Sequence, residues 1–288
     1  MIHRNLTQHT QLDELFFPVE STNITGKLEI VKNEDIILPI YEQLVADFGL
    51  DQIQTKIESY QDKRFYVSFR LFNQLHPVAK NDCVYPEILI HNSYDKSIAP
   101  TVTLGFVRQI CKNGMMAFHR AETVHLRQGK EFNPAQLVPI FQKLATIESS
   151  LVSLKELSQY PVTRPQLALI RSELSRLDRH SKLRFTEEDI DIALQTARRE
   201  ANLLHSPMNA WLLYNGINNP INHAVTRYLL PEEVRAIDEQ ILAIVKAVTF
   251  TRPTSLSSRE TMNRRLAMRN QNIGSKTKNK QVLEEEII

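Results

Sequence analysis

Hydrophobic and polar residues alternate along the first half of the chain, with the period of two that is typical of β-strands with one buried face. The clearest strand covers residues 64–72, RFYVSFRLF. Its apolar positions share one face and are Phe65, Val67, Phe69 and Leu71. Further strands are predicted over residues 85–92 and 101–110, and Asn113-Gly114 favours a hairpin turn after them. This half of the chain therefore predicts a small antiparallel sheet.

In the second half, apolar residues recur every three or four positions, which is the period of an amphipathic helix. Asn133 and Pro134 are typical of a helix cap and a first helical position. The longest apolar seam consists of Leu137, Ile140, Leu144, Ile147, Leu151 and Leu154. This seam either forms an internal core with neighbouring helices or serves assembly with a second copy or a partner helix. Other helices are predicted after Pro39 and over residues 167–177, 190–204, 207–214 and 231–250.

These patterns predict an α+β fold, in which a small antiparallel sheet in the N-terminal half packs with a helical C-terminal half. Four segments are expected. They are an N-terminal extension at 1–35, a β-rich domain at 36–130, a helical domain at 131–250 and a basic, mobile tail at 251–288. The tail prediction rests on composition, because residues 251–280 contain eight Lys or Arg, one Glu and few large apolar residues.

Composition removes several classes of protein. The chain has 35 basic and 33 acidic residues, so its overall charge favours no class of partner. No stretch approaches the roughly 20 apolar residues that span a bilayer, and the first residues do not form a secretory signal. We therefore expect a cytoplasmic protein with no membrane partner. Its seven glycines lie too far apart for a GxGxxG, Walker or GxSxG motif, and no cofactor is predicted.

One block, residues 86–115, resembles a family of phage and plasmid proteins that share a domain of unknown function of the DUF932 type. It reads PEILIHNSYDKSIAPTVTLGFVRQICKNGM. The positions that match the family pattern are Glu87, Asn92, Ser93, Asp95, Ser97, Gly105, Arg108, Cys111, Asn113 and Gly114, followed by His125 and Gly129 and by the later segment with Trp211, Leu213, Tyr214 and Asn215. Tyr94 stands where the family usually has His, and Lys96 where it usually has Gly. The resemblance covers about residues 82–250 and implies an origin in a mobile genetic element.

The polar residues of this block have two interpretations. In the first, His91, Asn92, Asp95, Arg108, Cys111 and His125 form an acid–base or nucleophilic site. In the second, which we favour, Asn92 and Asp95 hold a turn, Arg108 pairs with Glu87, and Cys111 fills the core. We assign no catalytic residue and expect a binding protein rather than an enzyme. A metal site is not predicted, since the spacing of His119 and His125 matches no standard zinc pattern.

The positive side chains favour nucleic acid as a partner. The predicted binding residues are Lys63, Arg64, Tyr66 and Arg70 on the outer face of a strand, with Arg264, Arg265 and Arg269 in the tail. The plan of a small sheet, helices and a basic end is similar to that of single-strand annealing proteins, which favours single-stranded DNA and a homo-oligomer. The alternative is a counter-defence or regulatory protein that binds a host protein. A hydrolase or nuclease is disfavoured, because no carboxylates cluster in a metal-binding arrangement.

Overall fold

The structure is a computed structural model that describes residues 7–16, 30–108, 116–117, 122–126, 132–177, 186–220 and 230–250. The chain divides into a compact unit, Met1–Thr249, and a second unit, Phe250–Ile288. The predicted basic tail, with Arg264, Arg265 and Arg269, lies outside the described residues. So do Cys111, Asn113 and Gly114 of the block that resembles the family. The sheet and the helices described below all belong to the first unit.

The described part of the chain contains an antiparallel sheet of eight strands. The strands are β1 (Thr7–His9), β2 (Ile53–Tyr60), β3 (Arg64–Leu71), β4 (His76–Ala79), β5 (Asp82–Ser93), β6 (Thr101–Arg108), β7 (Met116–Ala117) and β8 (Thr123–His125). Their main order is β1-β2-β3-β5-β6-β7, with β4 paired to β5 and β8 paired to β6. The alternation in β3 therefore predicted the right element, and β5 begins three residues earlier than the pattern indicated.

Seven α-helices accompany the sheet in the described residues. They are α1 (Asn33–Phe48), α2 (Val138–Ala145), α3 (Ile147–Gln159), α4 (Arg164–Leu177), α5 (Glu187–Leu203), α6 (Ala210–Pro220) and α7 (Pro231–Thr249). Six of them lie in the C-terminal half, so the predicted α+β class is confirmed. Helix α5 begins with a capping box formed by Thr186 and Asp189, three residues before the predicted start of the helix at residue 190.

Helix α1 begins earlier than predicted. Pro39 was expected to precede the helix, but it lies within α1. A proline inside a helix removes one backbone hydrogen bond and opposes the helix. Here Ile36 and Ile37, before the proline, are buried together with Ile40 and Leu44 after it. Burial of this apolar face against the sheet outweighs the lost hydrogen bond.

The apolar seam of residues 137–154 is part of the core. All six of its positions are buried within the chain. It is also interrupted, because α2 ends at Ala145 and α3 begins at Ile147 with a bend of 55° between the two helical segments. The seam therefore packs inside the protein rather than forming one continuous assembly surface.

No single described helix is both long and apolar enough to cross a membrane. The bent pair Pro134–Ala145 and Ile147–Gln159 meets the criteria of length and composition when its two parts are taken together.

Candidate functional site on the polar face of the sheet

The two faces of the sheet differ in character. The face that carries Phe65, Val67 and Phe69 of β3 is apolar, and the ring of Phe69 lies 5.6 Å from that of Tyr41 in α1. The opposite face carries Arg64, Tyr66, Ser68 and Arg70. Because cross-strand partners point to the same side of a sheet, the strand register extends this polar face into β5, β6 and β8. Three of the seven predicted binding residues, Arg64, Tyr66 and Arg70, lie here.

Arg70 is committed to a contact within the protein. Its Nε and Nη2 atoms donate to Glu87 Oε2 at 3.1 and 3.0 Å, and Nη1 donates to Gln54 at 3.3 Å. Its guanidinium also lies 5.5 Å from the centre of the Tyr85 ring. Glu87 is only 2% exposed, so Arg70 neutralises a buried carboxylate. This arrangement opposes the predicted role of Arg70 in contacting phosphates, and it replaces the predicted pair of Glu87 with Arg108.

Tyr66 is also unsuited to its predicted role. Its side chain is 4% exposed, and its ring meets the ring of His91 edge to face at 5.2 Å. A ring on which a base stacks must expose one face to solvent. The period-two pattern placed Tyr66 on the correct side of the sheet, but that side is itself largely covered.

Lys63 and Arg64 lie at the end of the sheet, near the loop that joins β5 to β6. Lys63 is exposed, and Arg64 Nε donates to Ser97 Oγ at 2.7 Å. Partial burial acts to raise the pKa of Asp95, but hydrogen bonds from Ser97 and the charges of Arg64 and Lys63 outweigh it and lower that pKa. Lys96, at the tip of the loop, has a φ of +59°. We call Lys63, Arg64 and Lys96 the sheet corner.

The loop contains Tyr94 and Lys96, the two positions at which the sequence departs from the expected family pattern. Lys96 adopts the left-handed backbone conformation, in which glycine is favoured. The Tyr94 hydroxyl accepts a hydrogen bond from the backbone N–H of Asn33 at 3.1 Å, at the start of α1. Burial raises the pKa of Tyr94, against the opposing effect of the Asn33 hydrogen bond. Tyr94 therefore acts here as a structural contact between the loop and α1.

Asn92 and Ser93 stabilise the same region. The Asn92 amide donates to the carbonyl of Val31 and to Asn33 Oδ1, both at 2.9 Å. Ser93 Oγ donates to the carbonyl of Ile98 at 2.9 Å and accepts from its N–H at 3.1 Å. Of the two residues predicted to hold the turn, Asp95 accepts a hydrogen bond from the Ser97 N–H at 2.9 Å within it, whereas the Asn92 amide joins the end of β5 to the start of α1.

Arg108 lies in a buried cluster that connects the sheet to α5 and α6. Its Nε donates to both Asp82 carboxylate oxygens at 2.9 Å, Nη2 donates to Asp82 at 2.6 Å, and Nη1 donates to Glu200. Trp211 Nε1 donates to Asp82 at 2.7 Å. Burial alone lowers the pKa of Arg108, but hydrogen bonds and charges from Asp82 and Glu200 outweigh it and raise that pKa. Arg108 is therefore a buried cation with a structural role.

The later segment with Trp211 and Tyr214 has a similar structural chemistry. The Tyr214 hydroxyl donates to Asp238 at 2.7 Å, and Asn218 donates to the same oxygen. Burial, with the charge of Asp238, raises the pKa of Tyr214 well above its ordinary value. Trp211 and Tyr214 therefore each hydrogen-bond a buried carboxylate, one from the sheet and one from α7. Sequence spacing indicated the segment but not these partners.

The polar residues of the family block do not converge on one site. Asn92 contacts the start of α1, Arg108 lies in the buried cluster, and His125 is exposed on the polar face. The predicted enzyme site of His91, Asn92, Asp95, Arg108 and His125 is therefore not assembled among the described residues. Within those same residues, no three His, Cys, Asp or Glu side chains are placed to hold a metal ion.

Two of the histidines do share a pocket. The pocket has a volume of about 310 Å³ and lies between the polar face of the sheet and α7. Its lining residues are His91, Ile98, Ala99, Thr101, His125, Ala236 and Glu239. Thr101, Ala236 and Glu239 were missed by sequence reasoning. No spacing relates Glu239 to residues more than a hundred positions earlier, so only the packing of α7 reveals it.

Comparison with known proteins identifies the family. The model of the family described as a domain of unknown function, DUF932, matches residues 25–267. No curated protein and no solved structure matches the chain. Since the match covers most of the sequence and includes the block of residues 86–115, the chain belongs to the DUF932 family.

Proposed function

We propose that this protein binds nucleic acid, specifically single-stranded DNA, and serves a phage or plasmid in recombination or annealing. The observation that carries the proposal is the concentration of positive charge in residues 251–280, which contain eight Lys or Arg and one Glu. Over the whole chain the totals are 35 and 33, so acidic residues outnumber basic ones outside that segment. A dense group of cations within one segment of the chain is the arrangement expected of a protein that neutralises phosphates.

Ion pairs among the described residues support the contrast between residues 251–280 and the rest of the chain. Many surface cations are paired with carboxylates. These pairs are Lys32–Glu34, Lys56–Glu58, Lys155–Glu148, Arg171–Glu187, Arg171–Asp191 and Arg176–Glu173. A paired cation is less available to a phosphate, because the carboxylate repels the same anion. These five surface cations are therefore less suited to a phosphate contact than the cations of residues 251–280, which have one acidic residue among them.

The sheet corner is the best candidate for a contact from the folded body. Lys63 and Arg64 follow the turn between β2 and β3, and Lys96 lies at the tip of the neighbouring loop. The Tyr94 N–H donates to the Lys63 carbonyl at 2.9 Å, which holds the two turns side by side. The corner has three cations beside two carboxylates, Asp62 of the β2–β3 turn and Asp95 of the neighbouring loop, so a small local excess of positive charge remains.

A salt titration tests the proposal. Binding of a fluorescein-labelled oligothymidine is followed by anisotropy at increasing salt. For single strands, log K falls with log salt by about 0.7 for each phosphate neutralised. Replacing Arg264, Arg265 and Arg269 by Gln removes three cations, so the slope should become shallower by about 2. The matched control replaces Lys143, Lys155 and Arg198 of the helical half by Gln, with the same change of net charge and little expected change of slope.

Two results would contradict the proposal. One is an affinity that does not respond to salt, because neutralised phosphates must release counterions. The other is an equal loss of binding in the tail variant and the control, because that would reflect net charge alone. If the protein neither shifts the oligonucleotide nor copurifies with nucleic acid, the alternative of a host-protein partner would replace single-strand binding.

A further inference from the structure

The side of the pocket formed by the sheet is a row of residues aligned by the strand register. In the strand register, Tyr66 of β3 lies opposite His91 of β5, His91 lies opposite Thr101 of β6, and Thr101 lies opposite His125 of β8. These four residues form one row across four strands, about 4.8 Å apart from strand to strand. The pocket uses the last three of them. Its far wall is α7, where Ala236 and Glu239 are three positions apart and share a helix face.

Hydrogen bonding makes the pocket rich in acceptors. The Thr101 hydroxyl donates to the Ala99 carbonyl at 2.9 Å, so its oxygen can only accept in its 3.4 Å contact with His125 Nδ1. A neutral imidazole that carries its proton on Nδ1 has a lone pair on Nε2. Glu239 adds a carboxylate, whose two oxygens offer about four acceptor positions and can accept from a ligand in addition to a partner in the chain. The site therefore suits a ligand with N–H donors.

The remaining walls are apolar and small. Ile98, Ala99 and Ala236 line the pocket between the polar groups. Apolar surface around a few placed polar groups is typical of small-molecule sites, and about 310 Å³ lies at the lower end of their volumes. A flat ring with a donor on its edge fits this description better than a phosphate, which the carboxylate of Glu239 would repel.

We propose that this pocket takes one unstacked nucleobase with an exocyclic amino group, such as cytosine. The proposal deepens the proposed function and rests on it, since it specifies which part of a single strand the sheet recognises. The amino group donates to Glu239 or to His125 Nε2, and the ring lies against Ile98 and the two alanines. Thymine has no amino group and fits less well.

The sheet corner lies where the attached backbone would leave the pocket. Arg64 is two residues from Tyr66 on β3, about 7 Å along the strand, and lies opposite Ser93. Its guanidinium contacts Ser97, next to Ile98 of the pocket. A base in the pocket therefore has a cation within reach of its own or a neighbouring phosphate.

The test compares two pyrimidine strands of equal length, oligodeoxycytidine and oligothymidine, by anisotropy on the full chain. One hydrogen bond changes affinity by a factor of about 3 to 10, so the cytidine strand should bind tighter by about that factor. Replacing His125 by Phe removes one of the two acceptors and should lower the ratio. Glu239→Gln keeps a carbonyl oxygen as acceptor, so it should lower the ratio less. The ratio is the measured quantity, because the lost charge of Glu239→Gln strengthens binding of both strands alike.

The controls are Glu188→Gln, an exposed carboxylate at the start of α5, and His205→Phe, an exposed histidine beyond the end of α5. Both should keep the wild-type ratio. A wild-type ratio of one with a steep salt slope would overturn the pocket and leave single-strand binding intact. If neither strand binds, the proposed function fails together with this inference. A preference that persists unchanged in His125→Phe and Glu239→Gln would assign base recognition elsewhere and also overturn the proposal.

Discussion

Arg108 carries its positive charge inside the protein, where water cannot solvate it. Its side chain is 1% exposed, and Asp82, its main partner, is fully buried. A buried ion pair gains little net stability over apolar residues, because desolvation offsets the attraction. Removing one partner is different, since the remaining charges are then buried without compensation. Arg108 is therefore a residue whose loss should affect folding far more than any surface reaction.

We expect Arg108→Met to lower the free energy of unfolding by about 3–5 kcal/mol. Two carboxylates, Asp82 and Glu200, would remain in the core without their cation, and the contact of the guanidinium with the Trp211 ring would be lost. Urea unfolding followed by Trp211 fluorescence measures the change.

Two further variants make that measurement specific. Arg176→Met removes a cation from an exposed pair with Glu173 and should change stability by less than about 1 kcal/mol. Arg108→Lys keeps the charge but loses the two-pronged contact with Asp82, so its stability should lie between wild type and Arg108→Met. A stability of Arg108→Met equal to that of Arg176→Met would show that the buried cluster does not hold the fold.

At the scale of elements, α5 and α6 approach each other closely at Gly216. A Cβ atom added there would lie 2.5 Å from the carbonyl oxygen of Ala193 and 2.7 Å from the Cβ of Ala197. The small residues of α5 and the glycine of α6 together permit this approach. The same helix places Trp211 against Asp82 of β5 and Tyr214 against Asp238 of α7.

Gly216→Ala should therefore destabilise the protein by about 1–3 kcal/mol, the usual cost of overpacking. The sign of the change in stability is informative, because replacing Gly by Ala in an unconstrained helix increases stability by up to about 1 kcal/mol. Thermal unfolding measures the change. The control is Asn202→Ala on an exposed turn of α5, which should leave stability unchanged or raise it slightly. An increase in melting temperature for Gly216→Ala would contradict the close packing of the helices.

Elements with a strong local pattern were predictable. The alternation of β3 and the three- and four-residue steps of α2 and α3 each reflect a single face meeting the core. Strands β1, β2 and β4 were missed, because only pairing with their neighbours makes these polar or short segments into strands. The early start of α1 was missed for a related reason. Its first turn depends on contacts with Asn92 and Tyr94, more than fifty residues away.

Over the whole molecule, we distinguish cations that hold the fold from cations proposed to contact phosphates. Arg70 belongs to the first group, and the sheet corner, whose Arg64 also donates to Ser97, is the proposed second group. Arg70→Gln should leave the salt slope of oligothymidine binding unchanged, while lowering the free energy of unfolding by about 2 kcal/mol or more, because Glu87 is left buried without its cation. Lys63→Gln with Arg64→Gln should lessen the slope by about 1.4 with little loss of stability. Anisotropy measures the salt slope of both variants, and urea unfolding measures their stability. A shallower slope for Arg70→Gln with unchanged stability would place Arg70 in the binding surface.

Local periodicity and motifs along the chain were enough to predict the α+β class, the main strand and helices, and membership of a family. The positions of the charged residues likewise show where positive charge accumulates along the chain. Which cations are paired inside the protein depends on the fold, since the partners are distant in sequence: Arg70 with Glu87, and Arg108 with Asp82 and Glu200. The pocket required the same information, because His91, Thr101 and His125 meet through strand register and Glu239 joins them through the packing of α7.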